Sequence, residues 1–97
     1  MPDEPLDEPI DPVRAKTLVG EILRSGGTFA YSTHATNEMA KDGLSIVDCV
    51  NVLKGGVAEF PEFEKGTWRY RFRTNRIVVV VAFRSKTELR IVTAWRI

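Results

Sequence analysis

Hydrophobic residues recur with a helical period in the first half of the chain and with a period of two in the last third. Ala15, Leu18, Val19, Ile22 and Leu23 fall on one stripe of a helix, the spacing of a helix that buries one face. Asp11-Pro12 starts that helix as an N-cap followed by proline in the first turn, and Gly26-Gly27 ends it. A short strand is expected over 28–31. Ser32 or Thr33 then caps a second, short helix over 34–41, which Gly43 stops. Ser45 caps a third helix, with Asp48 in the capping-box position. Its buried stripe is Ile46, Cys49, Val50 and Leu53, and Gly55-Gly56 closes it.

From residue 57 onward the chain reads as strand. The stretch 57–64 suits an edge strand, because Pro61 has no N–H to give to a ladder. Gly66 marks a turn, and 67–74 alternates cleanly. The unbroken apolar run from Ile77 to Phe83 suits a central strand covered on both faces, and 88–97 forms the last strand. The expected order is α-β-α-α-β-β-β-β: an α+β domain over 12–97, with an antiparallel sheet and the helices packed on one face. Ahead of it, residues 1–11 carry five acids, three prolines and no base, a composition expected to leave a disordered acidic tail.

Strand parity divides the last third into two faces. Trp68, Tyr70 and Phe72 oppose Arg69, Arg71 and Arg73. Ile77, Val79, Val81 and Phe83 oppose Val78, Val80 and Ala82. Leu89, Ile91, Thr93, Trp95 and Ile97 oppose Arg90, Val92, Ala94 and Arg96. The bulky face belongs under the helices. The other is a shallow trough with a Val-Ala floor, flanked by Arg69, Arg71, Arg73, Arg90 and Arg96.

Charge sharpens this picture. The net charge of the 97 residues is only +1, yet residues 65–97 hold nine bases against one acid, Glu88. Arginine predominates among those bases, and its planar fork fits phosphate bidentately. A polyanion surface for RNA, DNA or an acidic protein is the reading that follows, with plain solvation of an exposed strand face as the alternative. The single cysteine, Cys49, precludes an internal disulfide and suits a reducing compartment. The start has no charged-then-apolar leader and no apolar run reaches membrane-spanning length, so a cytoplasmic protein is expected. No metal-ligand constellation, P-loop or dinucleotide fingerprint is present in the sequence, and neither metal nor cofactor is expected.

His34 is the only histidine. At the start of a helix its neutral form is favoured, the form a general base needs. Glu38 and Lys41 lie on roughly the same helix face. The alternative is a half-exposed structural histidine. Tyr70 and Trp95 share faces with core residues, and Cys49 lies on an apolar stripe. RNA cleavage by its own 2′-hydroxyl fits this inventory: the substrate supplies the nucleophile, arginines stabilise the charged phosphorane, and a poised group moves protons.

The stretch STHATNEMAKDGLSIVDCVNVLKGG resembles small bacterial toxin-like proteins that share a His-Ala-x-x-x-Met-x-x-x-Gly-ψ-Ser helix pair, followed by a valine-rich strand and a strand like IVTAWR. These belong to or sit beside the RelE-like superfamily. The order of elements over 12–97 is also similar to that of the motility quorum-sensing regulator (MqsR) toxins. The resemblance implies a metal-independent endoribonuclease, an mRNA interferase acting on free or ribosome-bound mRNA. Such a toxin belongs to a type II toxin–antitoxin pair and is neutralised by a cognate antitoxin, often of zinc-finger type. It implies catalytic roles for His34, Tyr70, Arg71, Arg84 and Arg96; Arg69, Arg73 and Arg90 of the trough, with Lys41 on the His34 helix, are expected to contact the RNA. The MqsR-like toxins do not require a histidine at the His34 position, and the acidic tail is outside their pattern. A non-catalytic RNA- or DNA-binding module and a basic protein-interaction domain are the alternatives, and the tail is a candidate occupant of the trough.

Overall fold

Each helix starts at a side-chain cap. Asp11 accepts from the Arg14 N–H at the start of α1 (Pro12–Arg24), and Ser32 accepts from the Ala35 N–H at the start of α2 (Thr33–Lys41). At α3 (Ile46–Gly55), Ser45 and Asp48 complete a reciprocal capping box. The computed structural model describes residues 6–97. The strands are β1 (Thr28–Tyr31), β2 (Val57–Ala58), β3 (Glu62–Glu64), β4 (Thr67–Arg73), β5 (Ile77–Ser85) and β6 (Glu88–Arg96). No described helix is long and apolar enough to cross a membrane.

The sheet runs β1-β6-β5-β4-β2, with β3 also on β4. Every strand pairing is antiparallel except β1 with β6. The domain is thus α+β as expected, with a valine-rich central strand. One core joins Ala15, Leu18, Val19 and Ile22 of α1, Ala35 and Met39 of α2, and Cys49, Val52 and Leu53 of α3 to one sheet face. That face presents Tyr70, Phe72, Val79, Val81, Phe83, Leu89, Ile91 and Ala94. In α3 the fully buried apolar position is Val52 rather than the expected Val50, which is half-buried.

Two of the single-residue register shifts in the ladders bear on the exposed face. The expected strand over 57–64 is broken: Val57 and Ala58 oppose Arg73 and Phe72, but Glu62 opposes Arg69, one residue out of step. Pro61, which cannot donate to a ladder, sits in the break. The Lys65-Gly66 turn that follows has positive φ at both residues, 48° and 82°, the backbone of a type I′ hairpin. In β6, Val80 opposes Thr93 whereas Val81 opposes Ile91, leaving Val92 as the extra residue.

The stretch expected to be a disordered tail is corrected in its described part. Residues 1–5 lie outside the described residues. Over 6–10, Leu6, Glu8 and Ile10 turn inward in alternation, and Leu6 and Ile10 pack against the core. The reason is Tyr70. Its ring is fully buried and meets Phe83 edge-on at 5.0 Å. Its hydroxyl donates to Glu8 Oε2 at 2.9 Å and accepts from the Ile10 N–H at 3.1 Å.

Burial pushes the Tyr70 phenol up to about 12, and it also raises Glu8, whose bond from Tyr70 works in the opposite direction. Above pH 10 an unfolded chain releases the phenol proton while the folded one keeps it, so stability falls with rising pH between 10 and about 12. Tyr70→Phe is expected to cost about 1–3 kcal/mol at neutral pH, because Glu8 and Ile10 lose a partner. It should also flatten the alkaline loss. Urea denaturation at stepped pH measures both effects.

Candidate nucleic-acid interface

Residues directly opposed in a ladder point to the same face. On the face away from the helices the register therefore lays down three rungs. Arg71 faces Val80, which faces Thr93; Arg73 faces Val78, which faces Trp95. Ala82 faces Arg90, and Arg69 continues the β4 row beside them. Alternate residues along a strand stand about 6.6–6.8 Å apart, and rows separated by one intervening strand about 10 Å. Val78, Val80 and Ala82 are nevertheless only 5%, 6% and 8% exposed. The long side chains on either side lie over them.

The Val92 shift corrects the expected parity of the last four residues of β6. Trp95 and Thr93 belong to the trough, and Ala94 belongs to the core. The Arg71 guanidinium sits 5.7 Å from the Trp95 ring centroid, a cation–π distance. Arg96 leaves the trough altogether. Its N–H donates to Asp42 Oδ2 at 2.8 Å and its Nε to the Asp42 carbonyl at 2.7 Å. It thereby satisfies the C-terminal end of α2, where a cation is favoured.

The trough has an acidic margin that counting charges from residue 65 onward misses. Glu59, whose N–H donates to the Arg71 carbonyl at 2.9 Å, runs beside Arg71. Glu62 and Glu64 share the face of Arg69, and Glu64 pairs with Arg69 at 3.4 Å. The alternation Glu-Phe-Glu just before the Lys-Gly turn is the signal that could have placed these acids. Among the described residues no carboxylate lies within 4.0 Å of the Arg71, Arg73 or Arg90 side-chain nitrogens. Free positive charge is therefore concentrated between β4 and β6. Two clefts open on either side of Arg71. One, of about 360 Å³, is lined by Glu59, Phe60, Glu62 and Arg71. The other, of about 180 Å³, is lined by Glu62, Glu64, Arg69, Arg71, Val80, Thr93 and Trp95.

Of the residues expected at a site, Arg69, Arg71, Arg73 and Arg90 come together. The others do not. Tyr70 is fully buried on the opposite face, so its expected catalytic role is corrected to an anchor for residues 8–10. His34 is exposed on the first turn of α2, which packs against the core through Ala35 and Met39 and meets the sheet at β6, and it lines neither cleft. Lys41 is on the same helix, paired with Glu38 at 3.1 Å. Arg84 is exposed in a further register shift at the end of β5, and lies 3.6 Å from Glu88. The described part of the N-terminal segment lies on the Tyr70 side and does not enter the trough. Cys49 is buried, and burial first, then Asp48, raises its thiol to about 11, which keeps it protonated and unreactive at neutral pH.

Each phosphate contact on a single strand contributes a slope of about 0.7 to the dependence of log K on log salt. Arg71→Ala, Arg73→Ala and Arg90→Ala are each expected to lower the slope for single-stranded RNA by about that amount, and Arg96→Ala to leave it unchanged. Fluorescence anisotropy over a salt series measures this.

A family model described as a domain of unknown function, DUF4258, matches residues 31–96, which include every strand of the trough. No curated protein and no solved structure gives a match.

Proposed function

The chain belongs to the DUF4258 domain family, and for it we propose a metal-independent endoribonuclease of the toxin type, cleaving mRNA through attack of the ribose 2′-hydroxyl. The observation that carries this reading is the juxtaposition of Arg69, Arg71, Arg73 and Arg90 with Trp95 across an apolar floor. Arginine forks bind phosphate oxygens and stabilise the extra charge of a phosphorane. A tryptophan beside a guanidinium plane offers the flat surface on which unpaired bases stack. The substrate supplies the nucleophile. The resemblance to RelE-like and MqsR-type toxins supports the same chemistry, a cytoplasmic site of action and a cognate antitoxin partner.

The reading differs from the resemblance in its residues. Arg71 takes the central place, and His34, Tyr70, Lys41 and Arg96 lie outside the reacting groups. Expressed in bacteria, the wild-type chain is expected to arrest growth and to cut RNA in the presence of EDTA. Arg71→Ala should lower the cleavage rate by about 100-fold or more, whereas His34→Ala should cut at the wild-type rate. A folded protein that neither arrests growth nor cuts RNA, with or without ribosomes, contradicts the proposal. Salt-dependent RNA binding without cleavage would leave a non-catalytic binding module in its place.

A further inference from the structure

Cleavage by the 2′-hydroxyl needs a proton acceptor beside the arginine that holds the phosphate. Of the two groups first suited to moving that proton, Tyr70 is buried on the opposite face and His34 stands on α2, and neither lines the clefts. The carboxylates that line the two clefts, among the described residues, are those of the β2–β3 margin, whereas Glu88 is taken by Arg84.

Glu64 is held 3.4 Å from Arg69. Glu59 reaches only the larger cleft. Glu62 is exposed, makes no ion pair or side-chain hydrogen bond among the described residues, and lines both clefts. Arg71 is the other residue common to the two. Glu62 and Arg71 together therefore form the wall between the Trp95 side and the Phe60 side.

The backbone puts Glu62 there by a specific device. In the register of Val57 with Arg73 and Ala58 with Phe72, an unbroken ladder would set residue 62 opposite Trp68, on the helix side of the sheet. The extra residue at the Pro61 break sets it opposite Arg69 instead, on the trough face. Bulges next to active sites commonly re-aim a side chain in this way.

Resting on the endoribonuclease reading above, we propose that Glu62 is the general base of the reaction, with Arg71 as the phosphate-holding partner. The Glu62 carboxylate takes the proton of the 2′-hydroxyl, and the 2′ oxygen bonds to phosphorus. The bond from phosphorus to the 5′ oxygen of the next nucleotide then breaks. That oxygen takes a proton from water, and the resulting hydroxide takes the proton from Glu62. The products are a 2′,3′-cyclic phosphate and a 5′-hydroxyl end, with no net gain or loss of protons. The substrate is single-stranded RNA, since a duplex would present neither a free base to Trp95 nor a 2′-hydroxyl free to align for attack.

The test compares the full chain with Glu62→Gln, Glu62→Asp, Glu59→Gln and Arg71→Ala. Single-turnover cleavage of an end-labelled single-stranded RNA gives the rate. Anisotropy with a 2′-O-methyl RNA of the same sequence, which lacks the nucleophile, gives binding. Glu62→Gln is expected to lose about 100-fold or more in rate while binding the 2′-O-methyl RNA as tightly as wild type, and Glu62→Asp to recover part of the rate. Wild-type products should carry 2′,3′-cyclic phosphate ends. Wild-type cleavage that Glu62→Gln leaves intact and Arg71→Ala removes overturns the role of Glu62 alone. Loss in Glu59→Gln but not in Glu62→Gln gives the base to Glu59 and also overturns it. A wild-type chain that binds RNA and does not cut it overturns both readings.

Discussion

One extra residue in a β-ladder turns every side chain beyond it to the other face of the sheet, and two such shifts decide what this protein presents to solvent. At Val92 the shift carries Trp95 and Thr93 from the core side into the trough and sends Arg96 out of it. At the Pro61 break the shift brings Glu62 and Glu64 alongside Arg69. Without them the trough would be a plain row of arginines over valine. With them it has an aromatic surface, a cationic centre and an acidic margin.

The side chains that leave the trough have structural work elsewhere. Arg96 closes the C-terminal end of α2 through Asp42. Tyr70 fills the core between sheet and helices and fixes residues 8–10. The helix layer is held by apolar burial, and the core includes no residue of the Val78-Val80-Ala82 floor. Trough residues are therefore free to carry charge without weakening the core. This separation is what allows four arginines to crowd one sheet face at a cost in mutual repulsion.

Most of the fold was legible because its signals are local. The Asp11-Pro12 start, the Ser45-Asp48 capping box and the alternation of 67–74 each act within a few residues, and each reappears in the structure. Pro61 marked 57–64 as an edge strand, because proline lacks the donor, but did not by itself show that the strand breaks there. The Val92 shift was not. It falls within Ile91-Val92-Thr93, residues equally suited to a regular strand, and is set by pairing with β5 rather than by any local mark. Parity carried past it assigns Trp95 and Arg96 to the wrong faces. The inward turn of Leu6, Glu8 and Ile10 was hidden for a similar reason: acid and proline content suggest disorder, whereas the partner that orders them, Tyr70, is some 60 residues away.

We propose that RNA binds the face built by these two shifts. Amide and indole chemical shifts of the isotope-labelled chain, followed as a single-stranded 2′-O-methyl RNA is added, test it most directly. The account predicts that signals of Arg69, Arg71, Arg73, Val80, Arg90 and Thr93 and the indole N–H of Trp95 move together while His34 and Lys41 stay still. Shifts confined to α2 around His34 and Lys41, or no shifts at low salt, would contradict it.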